Sequence, residues 1–139
     1  MEPKPSFLFR QSGVIPFRRT GDRVEVLLIT SSDDSRWVIP KGVIEPDLSA
    51  AESAVKEAEE EAGIAGKVSS HTVGEFTYKK WGGTCHVDVF TLEVTEEMQD
   101  WLEARVRKRE WVSIEEACTR IRDDELKALI ARLPALLPS

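Results

Sequence analysis

A chain of 139 residues with 41% hydrophobic content can bury one real core and is too short for two ordinary domains, so residues 1–139 are read as a single domain. A formal net charge of −6 argues against a general nucleic-acid or anionic-membrane binder, although a local basic pocket for polyphosphate is compatible with it. No apolar run is long enough to span a bilayer, Met1-Glu2-Pro3-Lys4-Pro5 lacks a secretory hydrophobic core, and Cys85 and Cys118 have no metal-ligand spacing, so a soluble, cytoplasmic protein with reduced thiols is expected.

In chain order, residues 14–17 and 24–29 read as strands around the turn Thr20-Gly21-Asp22, and residues 37–39 as a short third. Ser49-Ala-Ala-Glu52 has the capping-box form and Gly63 stands where a left-handed stop is needed, so a helix is predicted over residues 50–62. At about 100° per residue, Ala51, Ala54, Val55, Ala58 and Ala62 share one stripe suited to close packing on a sheet. Residues 73–81 and 84–94 form a hairpin about Gly82-Gly83, and residues 109–112 add a final strand. Ser113 and Glu116 repeat the capping box, and a last helix begins near Asp124, places Leu126, Leu129, Ile130 and Leu133 on one face, and is stopped by Pro134. This order points to a mixed sheet with helices on both faces. Trp37 and Trp111 are assigned to the core, Trp81 to an exposed hairpin tip, and His86 to a satisfied, half-buried position.

The chemistry lies on the helix at 50–62, where Glu57, Glu60 and Glu61 fall within an arc of about 100° opposite the alanine stripe, while Glu59 points elsewhere. Glu57 and Glu61 are like charges at i,i+4, a pair that costs about 0.2–0.5 kcal/mol, and the trio has no basic residue at i+4. A cation is expected there. Clustered carboxylates without Cys or His suit Mg²⁺ or Mn²⁺ rather than zinc.

The stretch 42–64 resembles the Nudix box, G-x5-E-x7-R-E-U-x-E-E-x-G-U, with U a bulky aliphatic. Gly42, Glu57, Glu60, Glu61, Gly63 and Ile64 match in type and spacing, and Ala58 is a small stand-in for the aliphatic. Leu48 and Lys56 depart from it, standing where the family has a Glu and an Arg that orient the metal-binding acids. Lys56 keeps the charge but loses the planar fork, and Leu48 cannot accept a hydrogen bond, so the positioning of Glu57 must come from elsewhere, with Glu45 or Glu52 as candidate substitutes.

That resemblance implies a Nudix-type α/β/α sandwich with a mixed sheet, and a Mg²⁺-dependent pyrophosphohydrolase, with Mn²⁺ also accepted. It implies that Glu57, Glu60 and Glu61 are catalytic and hold the metal with a carbonyl of Lys41 or Gly42. The water's proton goes to Glu60 or Glu61, with Glu75, Glu96 and Glu97 as further candidates. The segments 36–42, 45–46 and 108–117 look like the diphosphoinositol polyphosphate and diadenosine polyphosphate branch, whose members surround the metal with Lys and Arg. Arg10, Arg18, Arg19, Lys79, Lys80, Arg105, Arg107, Lys108 and Arg109 are candidates for such a rim, with Lys41, Arg10, Lys79 and Arg107 as the preferred phosphate contacts. Two other readings stand beside this one: a nucleoside triphosphate or capped-RNA pyrophosphohydrolase, and a non-catalytic polyphosphate-binding module. The expected partner in every case is a small-molecule polyphosphate, with no general nucleic-acid or membrane binding.

Overall fold

The computed structural model of the chain describes residues 8–137, so Met1-Glu2-Pro3-Lys4-Pro5 lies outside the described residues. The expected mixed sheet is present, with helices on both faces. Its strands are β1 (Leu8–Thr20), β2 (Arg23–Thr30), β3 (Trp37–Val38), β4 (Lys41–Val43), β5 (Ile64–Val68), β6 (Gly74–Lys80), β7 (Gly83–Glu97) and β8 (Arg109–Ser113). The helices are α1 (Ala50–Ala62), α2 (Ile114–Arg120), α3 (Asp124–Ala131) and α4 (Leu133–Leu136). No helix among the described residues is long and apolar enough to cross a membrane.

β1 and β7 form the parallel spine. β1 pairs with β4 at residues 11–13 and with β2 at residues 17–20, so one long strand serves two neighbours on the same edge. β7 does the same on its other edge, with β6 near its start and β5 near its end. Strand alternation divides the apolar residues into two cores. Ile15, Phe17, Val87 and Val89 pack with Leu126, Leu129 and Ile130, whereas Val14, Phe90 and Leu92 pack with Ala54, Ala58 and Ala62 of α1.

The boundaries of α1 agree with the predicted span, and its Ser49–Glu52 capping box is complete. Three expectations change. β4 and β5 lie outside the strands that the sequence predicts. The hairpin turn sits at Trp81-Gly82, both with positive φ (56° and 71°), rather than at Gly82-Gly83; this is the pattern of a two-residue type I′ turn. Pro134 does not stop the last helix, which ends at Ala131; Pro134 instead falls in the first turn of α4, where its missing N–H costs nothing.

Candidate active site

β4 lies against α1, and the contact is tight at one point: a Cβ on Gly42 would fall on the Glu57 carboxylate. Any larger residue there would have to displace that carboxylate. Beside it, the Lys41 backbone N–H donates to Glu61 Oε1 (3.2 Å). Glu61 is buried, and its carboxyl shares a hydrogen bond with that of Glu57. Burial pushes the Glu61 carboxyl up to about 8 and the Glu57 carboxyl also upward, while the Arg107 guanidinium, 3.6 Å from Glu61, opposes the rise. Two carboxyls that resist ionising together are held in place for a cation or a proton.

Glu60 stands apart from this pair. Its carboxylate lies 4.0 Å from Lys56 Nζ, and among the described residues Glu57, Glu60 and Glu61 do not gather their oxygens into one cluster. The trio has no basic residue at i+4, and its basic neighbours come from elsewhere. Lys56, four residues before Glu60, approaches it, and Arg107 reaches Glu61 from outside the helix.

The departure at Lys56 is resolved by Glu45, whose two oxygens accept from Lys56 Nζ at 2.9 and 3.0 Å, while Glu52 is engaged in the α1 capping box. Both Lys56 and Glu45 are nearly half exposed, so the pair contributes little to stability. Its effect is on where the Glu57 side of the helix sits. Glu45→Ala is expected to lower turnover ~10-fold, with a Tm change under about 3 °C. Steady-state kinetics and a thermal melt check this, and a large Tm loss with normal turnover would reverse the assignment.

The end of α1 is held by the segment at 98–109. Helices leave their last carbonyls unpaired, and four such groups here find partners. Glu60 O accepts from the Glu103 N–H, Glu61 O from Trp101 Nε1, Ala62 O from Arg109, and Gly63 O from both Met98 N–H and Arg109. Gly63 has φ 63°, and a Cβ there would lie 2.8 Å from the Trp101 ring, so the position needs glycine twice over.

The glutamate pair opens onto a cleft of ≈ 220 Å³ that is also lined by Arg36, Lys41, Lys80 and Arg107, with Gln11, Tyr78 and Trp81 on its wall. Lys41 Nζ lies 5.1 Å from the centre of the Tyr78 ring, and burial lowers its ammonium to about 8 against the opposing pull of Glu61. Tyr78 is itself fixed by donating to Gln11 Oε1 (2.7 Å).

Of the preferred phosphate contacts, Lys41 and Arg107 line this cleft, and Arg10 and Lys79 do not. Lys79 borders a shallow outer hollow at the hairpin instead. Arg109 caps α1, and Arg18 pairs with Glu25 and lies over Trp111. Glu75 is on β6, and Glu97 accepts from Trp111 Nε1 far along β7; neither lines the cleft. Residues missed in the sequence are Gln11, which gave no signal, and Glu103, whose charge raises the Glu57 carboxyl and whose side chain holds Arg107 at 2.9 Å. Trp81 is exposed as expected, and packs edge-on against Phe9.

The NUDIX domain profile matches residues 8–133. Nudix hydrolase 17, mitochondrial, of Arabidopsis thaliana is 36% identical over 134 residues, covering 87% of this chain and 73% of the relative. Diphosphoinositol polyphosphate phosphohydrolase 3-alpha of Mus musculus is 41% identical over 96 residues, covering 67% and 57%. A C. elegans Ap4A hydrolase structure superimposes with TM-score 0.73 at 22% identity, covering 91% of this chain and 96% of that one.

Proposed function

The chain belongs to the Nudix hydrolase family, and on that premise we propose that it hydrolyses phosphoanhydride bonds of inositol pyrophosphates or dinucleoside polyphosphates. The observation that carries this reading is the pair of buried Glu61 and half-buried Glu57, beside Gly42, on a cleft with four cationic side chains. The donor set is all oxygen, two carboxylates together with the Lys41 or Gly42 carbonyl that the resemblance implies, which fits Mg²⁺ and tolerates Mn²⁺. A divalent cation held there supplies charge neutralisation at phosphate oxygens and a more acidic bound water.

The chain's own groups do the rest. Arg36, Lys41, Lys80 and Arg107 bind the non-bridging oxygens and orient the anhydride. Lys41, sitting near its titration point, is also suited to protonate a leaving phosphate. Of the two candidate bases, Glu61 lines the cleft and Glu60 does not, so Glu61 accepts the proton of the attacking water as its oxygen bonds to phosphorus and the bridging P–O bond breaks. Two relatives support the substrate class: one is named for diphosphoinositol polyphosphate and the other for Ap4A.

A nucleotide-directed reading has one observation in its favour, the 55% exposed Trp81 on the cleft wall, a surface on which a base could stack. Product release from diadenosine hexaphosphate, an inositol pyrophosphate and a nucleoside triphosphate, each assayed with Mg²⁺, separates these readings. Turnover of either of the first two supports the proposal, preference for the triphosphate supports the nucleotide reading, and no cleavage of any of them leaves a binding module.

A further inference from the structure

A second set of ligand-type side chains lies outside the cleft, on the β6–β7 hairpin. Glu75 and Asp88 are direct register partners, and His86 precedes Asp88 by two residues on the same face of β7. Two carboxylates directly opposite each other in an antiparallel pair repel. Between them stands a single imidazole nitrogen, His86 Nε2, 3.1 Å from Glu75 Oε2 and 3.2 Å from Asp88 Oδ1. One N–H cannot point at two carboxylates at once with good geometry.

The three ligand atoms all lie within 4.8 Å of one another, the only such trio of His, Cys, Asp or Glu among the described residues. The two N···O separations match the roughly 3.0–3.4 Å edges formed by ligands about 2.1 Å from a common cation. The neighbouring charge by register is Arg10, which pairs with His86 across β1 and β7 but makes no ion pair with the trio. Glu75 keeps 65% of its side chain exposed, so water or another ligand has access to complete a coordination sphere.

We propose that Glu75, His86 and Asp88 form a site for a divalent first-row transition ion of the Zn²⁺ type, separate from the glutamates of α1. The nitrogen donor sets it apart from the all-oxygen cleft and disfavours Mg²⁺. Along the sheet, Gly42 pairs with Ser12 and Ser12 with Asp88, so the site lies two strand spacings, roughly 10 Å, from Gly42. An ion there ties the edge strand β6 to β7.

The test is Zn²⁺ titration of the full chain by calorimetry in millimolar Mg²⁺, which occupies the oxygen site first. One Zn²⁺ equivalent is expected in the wild type and in Glu61→Gln, weakened at least ~10-fold in His86→Ala and in Glu75→Gln. Glu75→Gln changes an exposed side chain and keeps the fold, so it tests the site even if His86→Ala unfolds. No Zn²⁺ binding in the wild type, equal binding in Glu75→Gln, or loss in Glu61→Gln alone would overturn the proposal.

Discussion

Glu61→Gln cuts Mg²⁺-dependent turnover at least ~100-fold, the scale of losing one charge-stabilising group at a reacting centre, and at the same time makes the metal-free protein more stable at pH 8. Both effects come from one property. The buried Glu61 carboxyl has its pKa raised from 4.5 to about 8, so between those values the folded chain binds more protons than the unfolded chain and stability falls as pH rises. Lys41, lowered from 10.5 to about 8, acts above that window with the opposite sign, because there the unfolded chain binds more protons and stability rises with pH. The two groups together put a stability minimum near pH 8 in the absence of Mg²⁺. Each tenfold change in proton affinity is worth about 1.4 kcal/mol, so the metal-free Tm should drop by roughly 5–10 °C from pH 5.5 to pH 8. Glu61→Gln removes that drop, and Mg²⁺ removes it in the wild type. Glu59→Gln, on an exposed position of the same helix, is the control and leaves both readouts unchanged. Unaltered turnover in Glu61→Gln would sink the site assignment.

Arg109→Ala is expected to cost about 2–4 kcal/mol. Arg109 donates to Ala62 O, Gly63 O and Met98 O at 2.6–3.2 Å, and its guanidinium lies 4.1 Å from the centre of the Trp101 ring. Truncation strips three carbonyls of a partner at once and frees the ring that covers Gly63. The end of α1 carrying Glu60 and Glu61 then frays, so turnover falls together with Tm. Arg109→Lys restores the charge without the fork and should recover little of either. A Tm within about 2 °C of wild type in Arg109→Ala would show that the segment at 98–109 does not hold the helix.

Much of this arrangement is legible in the chain wherever the determinants are local. The limits of α1 follow from Ser49, Glu52 and Gly63, each acting within one helical turn, and the structure ends the helix where those residues say it should. β4 and β5 are different, because their reasons are distant. β4 is three residues following a proline, and it is a strand only because β1 offers an edge. β5 contains Gly66, where the Glu93 carbonyl comes too close for any Cβ, so a residue that weakens strands locally is demanded by its neighbour and by the shift in register between Ala65 and Gly66.

The phosphate contacts show the same division. Lys79 and Lys80 are adjacent, and strand alternation puts just one of them on the cleft; the phase is set by the turn at Trp81-Gly82, one residue earlier than the glycine pair suggested. Arg10 and Gln11 are separated by the same rule, which places the neutral Gln11 in the cleft. Arg107 and Glu103 come from an irregular segment, and nothing in the spacing of that stretch announces that it folds back over α1. The pairing of Lys56 with Glu45 rather than Glu52 follows from Glu52 being engaged at Ser49.

The most direct measurement is calorimetric titration of Mg²⁺ into the chain at pH 7 in two buffers of different ionisation enthalpy. A Glu57–Glu61 pair that holds a proton when empty must release it when a cation arrives, so about one proton is expected to be released per Mg²⁺ bound, and none in Glu61→Gln. Mg²⁺ binding with no proton release, or with the same release in Glu61→Gln, would contradict the assignment of that pair as the cation site.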